Sequence, residues 1–288
     1  MARAEATGAE VATGTLQTGG YRTHYNRAGE GNEEKLLFLH GSGPGATGWS
    51  NWQFALPALG ESFDCIGPDM IGYGQSEHPE SPPHGTDEWL EVWLDQISSI
   101  LDQLGLEKVH IVGNSMGGAL ALHFLKRNPE KVGRLVLMGT MGTPHQIRDG
   151  LADLWGFYDD PSPENMKKAI ERFVYDPGIV GGDLDAIAEA RYEAAMNEDV
   201  SRSFASMFPA PRQAHVDNLA LTDTFFQSME NPTLLVHGRD DVIIPLETSL
   251  YLLERLPQVQ MHVFGRCRHW IMIEHREAFN RVVADFLG

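Results

Sequence analysis

Short apolar runs alternate along the chain with longer stretches in which apolar positions return every three or four residues. The runs are Lys35–His40, Phe63–Ile66, Val109–Val112, Arg134–Met138, Thr233–His237 and Met261–Phe264. Because successive positions are apolar, they predict parallel strands covered on both faces. From Asp87 to Leu104, the residues Trp89, Val92, Trp93, Ile97, Ile100, Leu101 and Leu104 share one helical face, with acids in the first turn and Thr86 placed as the N-cap. This segment predicts a helix laid over the sheet. The alternation stops after Met138. From Pro144 to about Phe225 the pattern is mostly helical with polar turns, and strands resume at Thr233. The expected fold is therefore α/β: a mostly parallel sheet flanked by helices, built from 15–143 and 226–288, with a helical cap inserted over 144–225. Residues 1–14, rich in Ala, Gly and Glu, are expected to form a frayed tail.

Charge narrows the partners. Forty acidic residues against 22 basic give the 288-residue chain a formal charge of −18. The average surface repels nucleic acid and anionic membranes, so an anionic ligand must be held by local cations. Two cysteines, Cys65 and Cys267, are too few for a disulfide framework and suit a reducing compartment. The first residues lack the apolar core of a secretory signal, and no run is long enough to span a bilayer. A cytoplasmic location with no membrane partner is expected.

The chemistry is carried by Gly113-Asn114-Ser115-Met116-Gly117, which follows the run VHIV and leads into the helical GALALHFL. A serine exposed on a sharp strand-to-helix turn needs small residues two before and two after it, and both are glycine here. A nucleophilic serine calls for an acid after a late strand and a histidine after the last one. The run TLLVH leads into Gly238-Arg239-Asp240-Asp241, leaving two adjacent acids as candidates. The run MHVF leads into Gly265-Arg266-Cys267-Arg268-His269, and of the 12 histidines His269 alone lies just past the terminal strand. In the expected triad His269 takes the proton of Ser115. Oxyanion donors are expected from the N–H of Met116 and from the loop His40-Gly41-Ser42-Gly43-Pro44-Gly45, with Ser42 preferred and Gly43 as the alternative. Gly41, Gly43 and Ala46 also fit a loose dinucleotide-binding pattern, but Pro44 stands where a backbone N–H should meet a pyrophosphate. No cofactor is expected, and the absence of HExxH, paired CxxC and EF-hand patterns leaves no metal implied.

The segments HGSGPGATGWSNW, GNSMGG, RLVLMG, RYEAAM, MFPAPRQ, HGRDDVIIP and HVFGRCRHWIMIEH resemble the meta-cleavage product hydrolases, carbon–carbon bond hydrolases of the α/β-hydrolase fold in bacterial aromatic degradation. The resemblance covers nearly all of the chain after Gly14. DMIGYGQSEHP and MFPAPRQ are similar to the branch acting on monocyclic ring-fission products of the 2-hydroxymuconate semialdehyde type. The resemblance implies a triad of Ser115, Asp241 and His269. It also implies a small anionic dienoate substrate, cleavage to 2-hydroxypenta-2,4-dienoate and a carboxylic acid, and a homo-oligomer that is a dimer or larger. It places Asn51, Asn114 and Trp270 at the dienoate end, with Phe173 and Trp155 either nearby or plain cap packing. Met141, Trp155 and Ile243 would surround the group on the distal carbonyl. Two features depart from the family: Arg268 stands where glycine is usual before the histidine, and Gly181-Gly182-Asp183 reads as a short insertion.

Arg191 can be read on its own pattern. Leu184, Ile187, Ala188, Arg191 and Ala195 share a stripe, so the guanidinium leaves an apolar helix face with no acid three or four residues away. Such a group needs an anion, either a distant carboxylate or, as the resemblance implies, that of the substrate. A carboxylesterase or perhydrolase using the same triad, and a small-molecule receptor on this scaffold, are the competing readings. A dehalogenase would need Asp at position 115.

Overall fold

The computed structural model describes residues 8–180 and 184–288. Its strands are β1 (Val11–Thr18), β2 (Tyr21–Ala28), β3 (Lys35–Leu39), β4 (Asp64–Pro68), β5 (Val109–Asn114), β6 (Val132–Met138), β7 (Thr233–Gly238) and β8 (Val259–Phe264). They form one eight-stranded sheet in the order β1-β2-β4-β3-β5-β6-β7-β8. Strands β3 to β8 pair in parallel, while β2 runs antiparallel to both β1 and β4.

The two-sided apolarity of the runs has a direct structural cause. Side chains alternate across a strand, so Leu37, Leu39, Ile111, Leu135, Leu137 and Leu235 enter one core while Leu36, Phe38, Val112, Val136, Leu234 and Val236 enter the other. The first core is closed by α3 (Gly85–Gln103) and α4 (Met116–Arg127). The second is closed by α1 (Gly48–Trp52), α2 (Ala55–Leu59), α12 (Ile271–Glu274) and α13 (Arg276–Leu287). Between β6 and β7 the chain leaves the sheet and forms α5 (Asp149–Trp155), α6 (Pro163–Phe173), α7 (Leu184–Ala195), α8 (Glu198–Met207), α9 (Gln213–Leu219) and α10 (Asp223–Gln227), before α11 (Glu247–Leu253) follows β7.

Two expectations change. The frayed tail does not extend to Gly14: β1 starts at Val11 and pairs with β2 along its whole length, Val11 opposite Ala28 and Thr18 opposite Tyr21. Thr86 is not the N-cap of α3. That place falls to His84, and the Thr86 hydroxyl lies inside the helix, 3.2 Å from Nδ1 of His215 on α9. Through α9, which packs on α3, the last part of the inserted segment rests against the core. Gly181-Gly182-Asp183 lies outside the described residues.

Candidate active site

The turn that ends β5 is shaped by close approach. A Cβ on Gly117 would sit 2.1 Å from the Leu39 carbonyl oxygen, and one on Gly113 would sit 2.5 Å from that of Gly117. Two strands and the start of α4 therefore meet with no room for a methyl group. Ser115, at this junction, has φ 55° and ψ −116°, a conformation that an L-residue holds only under strain. The surrounding hydrogen bonds fix it: Ser115 N–H donates to the Met138 carbonyl at 3.0 Å, and the Ser115 carbonyl accepts from Met141 N–H at 3.1 Å. Met116 opens α4, so its N–H has no partner inside the helix.

The loop after β7 presents the acid. Asp241 is buried; its Oδ1 accepts from the N–H groups of Ile243 (2.7 Å) and Ile244 (3.0 Å), and its Oδ2 lies 2.7 Å from His269 Nδ1. Burial by itself would raise the Asp241 carboxyl, but His269, His237 and the Ile243 N–H outweigh it and hold the group below the ordinary carboxylate range. Asp240 turns away and pairs with Arg239 at 3.2 Å. His269, buried past β8, is closed from behind by Gly139, whose added Cβ would come within 3.1 Å of the imidazole. Ser115 and His269 thus flank the same loop at the end of β6. Its Gly139, at φ 48°, leaves space for the ring.

The loop after β3 runs from the serine to the cap. A Cβ on Gly41 would be 3.1 Å from Ser115 Cβ, and one on Gly43 would be 3.3 Å from Arg191 Nη2. Two residues of chain span at most about 7 Å, so the serine and the guanidinium bracket a short reach of backbone. Asn51 Oδ1 accepts from Gly41 N–H at 3.3 Å, and Asn114 donates to the Met138 carbonyl at 3.2 Å. Both amides serve as struts for the loops around Ser115. The Ser42 hydroxyl accepts from Trp155 Nε1 at 2.9 Å, while Trp155 stacks on Phe208 with ring centroids 4.2 Å apart.

Arg191 lies on the inner stripe of α7. Its Nε donates to the Pro44 carbonyl at 3.1 Å, and its guanidinium carbon stands 5.3 Å from the Trp270 ring centroid and 6.0 Å from that of Phe173. These two rings stack at 4.5 Å with planes 2° apart. No carboxylate among the described residues pairs with Arg191. The residue is half-buried but its charged end is enclosed, and burial lowers its pKa from the ordinary value to about 10, which still leaves a cation at neutral pH. Met141, Trp155 and Ile243 are buried in the same apolar cluster as Leu154 and Phe208. Leu154, Phe208, Gly139 and His237 were not among the expected site residues; Phe208, Gly139 and His237 lie in the segments MFPAPRQ, RLVLMG and HGRDDVIIP, whereas Leu154 carries no motif that would single it out.

The arrangement holds an imidazole oriented by a buried carboxylate, a serine on a strained turn, N–H groups beside it and an uncompensated cation across a short loop. Such a set suits attack on a carbonyl in a molecule that carries an anionic end. Over residues 35–276 the chain matches the family described as alpha/beta hydrolase fold. It is 45% identical, over 94% of each chain, to 2-hydroxy-6-oxo-2,4-heptadienoate hydrolase of Pseudomonas putida. It is 43% identical to 2-hydroxymuconate semialdehyde hydrolase of Pseudomonas sp. strain CF600, over 93% of this chain and 91% of that one. Among solved structures, a meta-cleavage product hydrolase from Pseudomonas fluorescens IP01 superposes with a TM-score of 0.88 at 41% identity, covering 95% of this chain and 96% of that one.

Proposed function

The chain belongs to the alpha/beta-hydrolase family and, within it, to the meta-cleavage product hydrolases, and on that premise we propose that it hydrolyses a carbon–carbon bond in ring-fission products of the 2-hydroxy-6-oxohexa-2,4-dienoate type. The products are 2-hydroxypenta-2,4-dienoate and a small carboxylic acid. The observation that carries this reading is Arg191, a caged guanidinium with no carboxylate partner among the described residues, set across the Gly41–Gly45 loop from Ser115. An ordinary ester has no anion to offer it. A dienoate does.

In this reading Arg191 takes the substrate carboxylate, and Asn51, Asn114 and Trp270 line the dienoate. A proton moves from the 2-hydroxyl to C5, with His269 as the shuttle, and the resulting ketone at C2 becomes the electron sink. Ser115 then adds to the C6 carbonyl as His269 removes its proton, and N–H groups of Met116 and Ser42, or of Gly43, hold the oxyanion. The C5–C6 bond breaks, its electron pair passing into a dienolate whose C2 oxygen takes up the proton held by His269, and water then releases the acid from Ser115. Met141, Trp155 and Ile243 bound the distal substituent, so the substituents accepted best are hydrogen, methyl or small alkyl.

The test is loss of the visible absorbance of 2-hydroxymuconate semialdehyde or its 6-methyl analogue on adding the enzyme. Rapid bleaching is expected, Ser115→Ala should lower kcat by several orders of magnitude, and Arg191→Gln should cost about 1.5–3 kcal/mol in kcat/KM through its lost charge-assisted bonds. Fast turnover of p-nitrophenyl esters with no bleaching would assign the site to ester hydrolysis instead.

A further inference from the structure

The loop that carries His269 is joined to the cap by an assembly that lies outside the triad. Helix α6 ends at Phe173, so its last carbonyls lack intrahelical partners. The Phe173 carbonyl accepts from the N–H groups of both His269 and Trp270, each at 3.0 Å. Two residues back, the Glu171 carbonyl accepts from Arg268 Nη1 at 2.7 Å, a cation placed where the helix dipole favours one. Beyond Phe173, one oxygen of the buried Glu274 carboxylate accepts from Tyr175 N–H (2.5 Å) and Asp176 N–H (3.4 Å), while the other accepts from Arg268 N–H at 2.8 Å.

We propose that Glu274 and Arg268 are positioning residues for the reaction: they lock the end of α6 to the His269 loop and so fix the Phe173–Trp270 wall, and Arg191 against it, relative to the histidine. The inference rests on the carbon–carbon hydrolysis reading above. Phe173 belongs to the cap and Trp270 to the core, yet their rings stack within 2° of parallel beside the Arg191 guanidinium. The register of that stack is set by the two segments that Glu274 joins. His269 has its own anchor in Asp241, whereas the cap end of the wall has the Phe173 carbonyl, Arg268 and Glu274. Both carboxylate oxygens of Glu274 act as acceptors. A glutamine can accept on one side only, because its NH2 would face an N–H donor on the other.

The experiment compares the wild type with Glu274→Gln, Arg268→Ala and Arg268→Lys by amide hydrogen exchange and by kcat/KM on two substrates. The yellow ring-fission product engages Arg191; p-nitrophenyl acetate does not. In Glu274→Gln, exchange at 173–176 and 268–270 should quicken by about tenfold. The ratio of kcat/KM for the ring-fission product to that for the ester should fall at least about fivefold, chiefly through KM. Arg268→Ala should move both readouts the same way by a smaller factor, and Arg268→Lys, which keeps a cation near the Glu171 carbonyl, should restore most of the loss. Exchange within about twofold of wild type, or equal decline on both substrates, would overturn the proposal. If Glu274→Gln does not fold, the half-exposed Arg268 and its lysine variant give the same decision. A wild type inert toward the ring-fission product but active on the ester would sink the carbon–carbon reading alone, and exchange would then decide the role of the pair.

Discussion

Ser115 combines its hydroxyl with a backbone that only glycine adopts freely, and the two can be separated by substitution. Ser115→Ala and Ser115→Gly both delete the oxygen, but only glycine relaxes φ 55° and ψ −116°. Strain of this kind costs about 1–3 kcal/mol, against about 0.4–1 kcal/mol of extra unfolded-state entropy for glycine. The glycine variant should therefore melt higher than the alanine variant, by roughly 2–4 °C per kcal/mol of difference. Equal melting points, or a more stable alanine variant, would show that no strain is stored at the turn. Single residues also mark where sequence reading stops. GNSMG and the late histidine were legible because a strand precedes each. Spacing alone did not separate Asp240 from Asp241, and the resemblance alone favoured Asp241, since what divides them is a turn in which the Asp241 carboxylate caps the N–H groups of Ile243 and Ile244. The amphipathic stripe pointed Arg191 inward, but only tertiary contacts show what surrounds its charge.

Among the elements, the crossing of β3, β5 and α4 is the tightest, and glycine makes it possible. Gly117→Ala places a methyl group 2.1 Å from a main-chain oxygen that cannot step aside, whereas Gly67→Ala meets only the flexible Leu56 side chain at 3.2 Å. Overpacking of this kind costs about 1–3 kcal/mol or more, so Gly117→Ala should melt well below Gly67→Ala and bleach the ring-fission product more slowly. Comparable melting curves for the pair would contradict the close approach. Strands β3 to β7 were readable because each feeds two apolar cores; β8, at the sheet edge, leaves Gln260, His262 and Val263 exposed and fully buries only Phe264, so its apolar run is not covered on both faces as expected. Strands β1 and β2 were missed because neither offers a continuous apolar run: half of β1 is exposed, and the buried positions of β2 are mostly polar, namely Thr23, His24 and Asn26. The helical character of the insertion was plain, whereas the packing of α9 on α3 depends on contacts such as Thr86 with His215, which local periodicity cannot encode.

For the molecule as a whole, buried histidines set the response to acid. His40 and His237 are fully enclosed and burial pushes both below the ordinary imidazole range, so they stay neutral in the folded state. Below about pH 6.5 the unfolded chain takes up protons that the folded chain refuses. Their stabilisation is present above that pH and is lost as pH falls, at up to about 1.4 kcal/mol per unit for each. For Asp64, Asp69 and Asp241, burial acts upward but is outweighed by cationic and N–H partners. Their contributions persist to about pH 4 and are lost below it. The melting temperature should thus decline between pH 7.5 and 5.5, well before the carboxylates titrate, and a flat profile down to pH 5 would refute the assignment. The joint between cap and core has a different consequence at this scale. Every bond across it from Arg268, His269, Trp270 and Glu274 is addressed to cap main chain: the carbonyls of Glu171 and Phe173 and the N–H groups of Tyr175 and Asp176. Hydrogen bonds that read backbone are indifferent to the side chains mounted on it, so apart from Phe173, which stacks on Trp270, and Arg191 beside it, the cap's inner face can be rewritten for a new substituent without re-cutting the hinge that seats it.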